Sequence, residues 1–81
     1  METLNLIDTQ GRKQGHWENY WNNGNLCSKG SYLNGIKYGF WEWYWNKGNL
    51  MCKGYYFNDK KTGTWEWYDE EGNLVKTTYY H

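Results

Sequence analysis

From Trp41 to Trp45 the chain alternates ring and non-ring or smaller-polar positions as Trp41, Glu42, Trp43, Tyr44, Trp45. An alternation of period two predicts a β-strand, because successive side chains of a strand point to opposite faces. The pattern is not confined to that stretch. Gly15, Gly39 and Gly63 lie 24 residues apart, and the same spacing relates Trp17, Trp41 and Trp65, then Glu18, Glu42 and Glu66, then Tyr20, Tyr44 and Tyr68. Gly24, Gly48 and Gly72 follow in step, each before Asn-Leu, and Gly30 matches Gly54 while Tyr32 matches Tyr56 and Tyr80. Self-similarity at a fixed period of this size is the mark of a repeat architecture. The units are 15–38, 39–62 and a truncated 63–81, preceded by a partial N-terminal repeat at 1–14.

Each unit reads as a β-hairpin. Turns are placed at Asn23-Gly24, Lys47-Gly48 and Glu71-Gly72, with return strands from Leu26, Leu50 and Leu74. Asn34-Gly35 makes the turn into the next unit and Asn58-Asp59 takes its place one unit later; these residue types tolerate positive φ best. The fold class is therefore all-β, an elongated single-layer antiparallel meander of tandem hairpins. With a two-residue turn, Trp21 faces Leu26, Tyr20 faces Cys27, Asn19 faces Ser28, Glu18 faces Lys29 and Trp17 faces Gly30. In the next unit Glu42 faces Lys53, Trp43 faces Cys52 and Trp41 faces Gly54. This register predicts cross-strand ion pairs Glu18–Lys29 and Glu42–Lys53, and a tryptophan lying over the glycine opposite it. One face then carries Trp17, Trp21, Leu26, Tyr32, Trp41, Trp43, Trp45, Leu50, Tyr56, Trp65, Trp67 and Leu74. The other carries the ion pairs with Tyr20, Tyr44, Tyr68, Cys27, Met51, Val75, Phe40 and Phe57.

Composition changes the picture in one respect. Aromatic residues make up 22% of the 81 residues, while aliphatic side chains are few, so the core has to be built from rings, each able to bury about 150–250 Å². The formal net charge of +0 argues against a large cationic footprint for nucleic acid or an anionic membrane, and Lys60-Lys61 reads as a solvated turn. No stretch has the run of about 18–20 apolar residues that a membrane span needs. The start METLNLIDTQ lacks the features of a secretory signal, which sets the expectation of a cytoplasmic protein.

Candidate chemistry is sparse. The two histidines, His16 and His81, stand at opposite ends of the array. Glu18, Glu42 and Glu66 would form a carboxylate ladder with a spacing of about 10 Å, at the outer limit for a glycosidase pair, and read as structural. Cys27 and Cys52 are one residue off the repeat and should point to opposite faces. No phosphate-binding loop, dinucleotide fingerprint or paired-cysteine motif is present. The expectation is no catalytic, cofactor-binding or metal-binding residue. What the repeat leaves unexplained is the variable ring set: Asn19 stands against Trp43 and Trp67, and Asp69 against Trp21 and Trp45. Such positions could be core or a binding strip, and Trp and Tyr are enriched at interaction hot spots. Trp21, Trp43, Trp45, Trp67 and Tyr56 are therefore the candidate partner-binding residues.

The segments GHWENYWNNGNL, GFWEWYWNKGNL and GTWEWYDEEGNL, with GSYLNG (30–35) and GYYFND (54–59) as looser matches, resemble the MORN-repeat family, in particular its bacterial variant. The resemblance covers nearly the whole chain, with Asp59 departing from the pattern. It implies a stack of hairpins in an elongated, twisted single sheet, and a role as an interaction module. Members associate with membrane lipids or with partner-protein segments, and some bacterial ones are antitoxin-like; the lipid role fits least here, for want of a basic face. The expected function is binding, and inhibiting or neutralising, a partner protein. An extracellular glycan or cell-wall binding role is the alternative, since tandem Trp/Tyr hairpins also resemble cell-wall-binding repeats. Open edge strands further predict a homodimer, by edge pairing, with the TTYY segment of 77–80 as the favoured seam, or by packing of aromatic faces.

Overall fold

The computed structural model describes residues 4–81; residues 1–3 of the expected partial repeat lie outside the described residues. Seven strands follow one another: β1 (Leu6–Ile7), β2 (Lys13–Tyr20), β3 (Leu26–Leu33), β4 (Ile36–Tyr44), β5 (Leu50–Phe57), β6 (Lys60–Tyr68) and β7 (Leu74–Tyr80). They form one open antiparallel sheet in the order β1-β2-β3-β4-β5-β6-β7, with overall extents of 41 × 35 × 21 Å. The meander expected from the alternating pattern is the fold observed.

Register inside each hairpin follows expectation away from the turn: Trp17, Glu18 and Asn19 face Gly30, Lys29 and Ser28, and Trp41, Glu42 and Trp43 face Gly54, Lys53 and Cys52. Nearer the turn it departs. Tyr20 is paired with Leu26 and Tyr44 with Leu50, not with Cys27 and Met51, and a β-bulge intervenes in each hairpin. The expected two-residue turn is replaced by a wider loop, closed by Trp21 N–H donating to Asn25 O (2.8 Å) and Gly24 N–H donating to Trp21 O (2.9 Å). The bulge absorbs the added residue, so the Glu–Lys register survives a longer turn. It also moves side chains between faces. Leu26, Leu50 and Leu74 pair with Tyr20, Tyr44 and Tyr68 and leave the tryptophan face assigned to them, while Met51 packs against the buried rings instead of lying opposite them.

The turns at the other end are tight. Asn34 and Gly35 have φ of 54° and 80°, and Asn58 and Asp59 have 56° and 71°, the doubly positive pattern of a two-residue hairpin turn. Asp59 therefore makes the same bend as Gly35, and its carboxylate accepts the Lys37 N–H at 3.0 Å.

Two further expectations are corrected by the way hairpins stack. Each repeated tryptophan reaches back over the preceding strand: the Trp41 indole N–H donates to Ser31 O at 3.2 Å, and Trp65 to Tyr55 O at 3.1 Å. The glycine beneath Trp41 is accordingly Gly30, not Gly54, and Gly54 lies beneath Trp65; a Cβ added at either would fall inside the indole. The ion pairs shift the same way. Lys29 binds Glu42 (3.5 Å) and Lys53 binds Glu66 (3.7 Å), joining successive hairpins, while Glu18 accepts a hydrogen bond from Tyr20. Both corrections have one cause: every inner strand has two neighbours, and a side chain leaning along the sheet selects one of them.

The N-terminal edge is finished by a side chain. Asn5 donates its amide to Glu18 O (3.0 Å) and accepts from Glu18 N–H (2.8 Å), imitating a strand residue just before β1 begins and so covering that part of the β2 edge.

Candidate interaction face

The tryptophan face carries two rows of rings at different depths. The inner row runs across the sheet as Trp17, Tyr32, Trp41, Tyr56, Trp65 and Tyr80, each ring edge-on to the next at centroid distances from 5.1 to 6.5 Å. Trp41 and Trp65 are fully buried in it. Edge-to-face contact suits the ring quadrupole, so alternating tryptophan and tyrosine at a fixed interval makes a continuous core one layer thick.

The outer row is shorter. Trp43 stacks on Trp41 at 5.7 Å and 24°, and Trp67 lies against Trp65 at 6.2 Å and 34°. Both are half-buried, so each offers part of its indole to solvent. The sheet register Trp43–Cys52–Trp67 sets them one strand apart on each side of Cys52. Together with Met51, Tyr56 and Lys61 they bound a cleft of about 250 Å³. In the first hairpin the row is absent: Asn19 stands in the tryptophan position and donates to Ser28 Oγ at 3.0 Å, a small polar pair that leaves nothing to project.

Of the five candidate residues, the structure thus brings together Trp43, Tyr56 and Trp67. Trp21 and Trp45 stand apart at the wide turns, where their indole N–H groups donate to Tyr44 O (3.1 Å) and Tyr68 O (3.2 Å) of the following hairpin. Asp69 occupies the corresponding place in the last unit and instead accepts from Glu71 and Asn73 N–H within its own turn.

Burial tunes the groups of the cleft. It pushes the Cys52 thiol up to about 11, so the sulfur is a neutral, packed group rather than a nucleophile. Burial likewise raises Tyr56. The Trp67 indole nitrogen is buried without a hydrogen-bond partner among the described residues. On the opposite face Tyr44 is pushed up to about 12 by burial and by its hydrogen bond to Glu42.

A set of lysines joins the ring row. Lys13 Nζ lies 4.8 Å and 5.1 Å from the Trp17 and Tyr32 ring centres, Lys37 5.9 Å and 5.5 Å from those of Trp41 and Tyr56, and Lys61 5.4 Å and 5.7 Å from those of Trp65 and Tyr80. Lys61 is the second residue of β6 and is half-buried, while Lys60 before it is exposed; the reading of the pair as a solvated turn is corrected for Lys61. The signal was present: Lys13, Lys37 and Lys61 recur at the same 24-residue interval as the tryptophans.

A larger cleft, about 330 Å³, is lined by Leu33, Ile36, Tyr38, Tyr56 and Phe57 with Gly39 and the turn residues Asn34 and Asn58. Phe57 is 73% exposed there. No charged side chain lines it; its polar groups are those of Asn34, Asn58 and the two tyrosines. The smaller cleft has rings, a cation and hydrogen-bond donors in one place and is the better candidate for specific recognition.

Glu42, the central member of the carboxylate ladder, is engaged by Lys29 and by Tyr44. Among the described residues no group of three or more His, Cys, Asp or Glu side chains is arranged to hold a metal, and no helix is long and apolar enough to cross a membrane. The family described as MORN repeat variant matches residues 13–34 and 61–81, just over half of the chain. Comparison with curated proteins and with solved structures gives no match.

Proposed function

Since the chain belongs to the MORN repeat variant family, we propose that it is a non-catalytic interaction module that binds a partner protein through its tryptophan face. The cleft between Trp43 and Trp67, whose rings lie against the fully buried Trp41 and Trp65, is the observation that carries this reading. A surface whose rings are held by a rigid row beneath them loses little conformational freedom on binding, and such pre-organised aromatic anchors are the usual hot spots of protein interfaces. Trp43, Tyr56 and Trp67 form the centre of the proposed site. Trp21 and Trp45, apart from the cleft at the wide turns, are proposed as outlying contacts.

In its finer form the proposal is a cytoplasmic, antitoxin-like inhibitor that acts by occupying its partner. Self-association as a homodimer belongs to the same proposal, with β7 as the seam: the N-terminal edge is blunted by Asn5, whereas Leu74–Tyr80 is a seven-residue strand at the other edge of the sheet. The test is affinity capture from the native host with the wild-type chain, a Trp43→Ala/Trp67→Ala variant, and a Phe40→Ala/Tyr55→Ala variant on the opposite face. A partner lost only with the tryptophan variant supports the reading. A partner retained by it, or enrichment only on cell-wall polysaccharide, moves the site or the ligand class.

A further inference from the structure

The neutral chain divides its charge between two faces. Lys37 and Lys61 are registered with Tyr32 and Tyr56 on the tryptophan face, and Lys13 lies over the Trp17 and Tyr32 rings of that face. Lys76, paired with Trp67, lies 5.6 Å from that ring centre. The repeated glutamates are on the other face, where Glu42 and Glu66 are held by Lys29 and Lys53. None of the ion pairs among the described residues engages Lys13, Lys37 or Lys61. Asp59, at the turn beside Lys37, directs its carboxylate to the Lys37 backbone N–H. These three ammonium groups are held by ring faces, which attract a cation without neutralising it, so the row retains its charge for an anion.

The row also has a length scale. Its members belong to alternate strands β2, β4 and β6, so they recur about every 9.6 Å along the sheet at the usual strand spacing of about 4.8 Å. A polyproline-II segment rises about 3.1 Å per residue with three residues per turn, which brings every third side chain to one side at about 9.3 Å. An extended β-strand places residues three apart on opposite sides, and an α-helix, at about 1.5 Å per residue, steps about 10.5 Å in two turns.

Resting on the reading of this face as a partner-protein site, we infer that its occupant is an acidic segment in polyproline-II conformation. It crosses the strands with carboxylates at positions i, i+3 and i+6 opposite Lys13, Lys37 and Lys61. The intervening residues lie against Trp43 and Trp67, in the cleft that Lys61 also lines. Aromatic grooves favour this conformation because it is formed before binding and little order is lost.

The experiment is a tryptophan-fluorescence titration of the full chain with three synthetic nine-residue peptides: Glu-Pro-Pro repeated, Gln-Pro-Pro repeated, and the glutamates gathered in one block. The spaced acidic peptide is expected to bind about tenfold or more tighter than the other two, the scale of three partly exposed ion pairs, and to weaken as salt is raised. Lys13→Gln/Lys37→Gln/Lys61→Gln should lose that advantage, and the corresponding triple Lys→Arg variant should keep it. If the triple glutamine variant does not fold, Lys37→Gln alone carries the test, with a smaller loss. Equal binding of the glutamine peptide, abolished by Trp43→Ala, would overturn the acidic register and leave the partner-protein reading standing. Lysine-dependent binding to phosphatidylserine vesicles with none to the peptides would overturn it in favour of a lipid surface. No binding to any probe also overturns it, and the partner-protein reading then stands or falls on the capture experiment.

Discussion

Trp41 and Trp43 stand two residues apart on the same side of β4 with their rings stacked, yet one is fully buried and the other half-exposed. Trp41 has a counterpart in every hairpin, seals Gly30, and is flanked by Tyr32 and Tyr56. Trp43 has a counterpart in Trp67 but is replaced by Asn19 in the first hairpin. The difference teaches that the strict repeat belongs to the inner row, which each unit needs in order to stack on the last. The outer row is free to vary because the sheet closes without it. Asn19 and Ser28 show how: a single hydrogen bond of 3.0 Å and a nearly inaccessible serine fill the space that a ring and a thiol fill one unit later.

The inner row is the place to break the molecule. Gly54→Ala puts a methyl group where the Trp65 indole now lies, and the ring has to leave its site. The cost should approach the loss of a large buried aromatic, about 3–5 kcal/mol. Against a total of about 5 kcal/mol for so small a domain, urea titration should find the variant unfolded or nearly so. A variant with wild-type stability would show that the ring is not seated on the glycine.

Alkaline titration sharpens the comparison at the seam between the rows. The folded chain holds the Cys52 thiol at about 11 against an ordinary 9.0, so the unfolded chain ionises first. The stability this group confers is complete below pH 9 and is lost as pH climbs from 9 to about 11. Denaturant midpoints should fall across that interval, and Cys52→Ala should flatten the part of the fall that belongs to the thiol. An unchanged slope in the variant would remove Cys52 from the account. The smallest effect concerns the cations: Lys37→Met keeps the alkyl chain but removes the ammonium over Trp41 and Tyr56, and should cost about 0.5–1 kcal/mol.

Much of this was legible in the residues. The 24-residue interval and the hairpins follow from period-two alternation and turn residues; the register of Glu42 with Lys53 and Trp43 with Cys52 matches because the bulge offsets the longer turn. What was not legible has a common physical origin. A hairpin's own partner strand is set by its turn, but the strand on its other side is not, so the reach of Trp41 to Ser31 and of Lys29 to Glu42 could not be read from pairing within a unit. The bulge was hidden because Asn23-Gly24 resembles a two-residue turn, whereas Trp21 N–H bonding to Asn25 O makes a wider one. Of the proposed site, Trp43 and Trp67 stand out in the sequence by residue type and variability, and Tyr56 by residue type alone; that the three share one cleft depends on packing.

The central claim, that the repeated tryptophans build the sheet and the variable ones serve its surface, is tested most directly by thermal unfolding of Trp41→Ala and Trp43→Ala side by side. The account predicts that Trp41→Ala loses about 3–5 kcal/mol and with it most of the cooperative transition. Trp43→Ala should lose about 1 kcal/mol, moving the midpoint by about 4–8 °C. Equal losses in the two variants would contradict the account: both rows would then be core, and the tryptophan face would have no ring to spare for a partner.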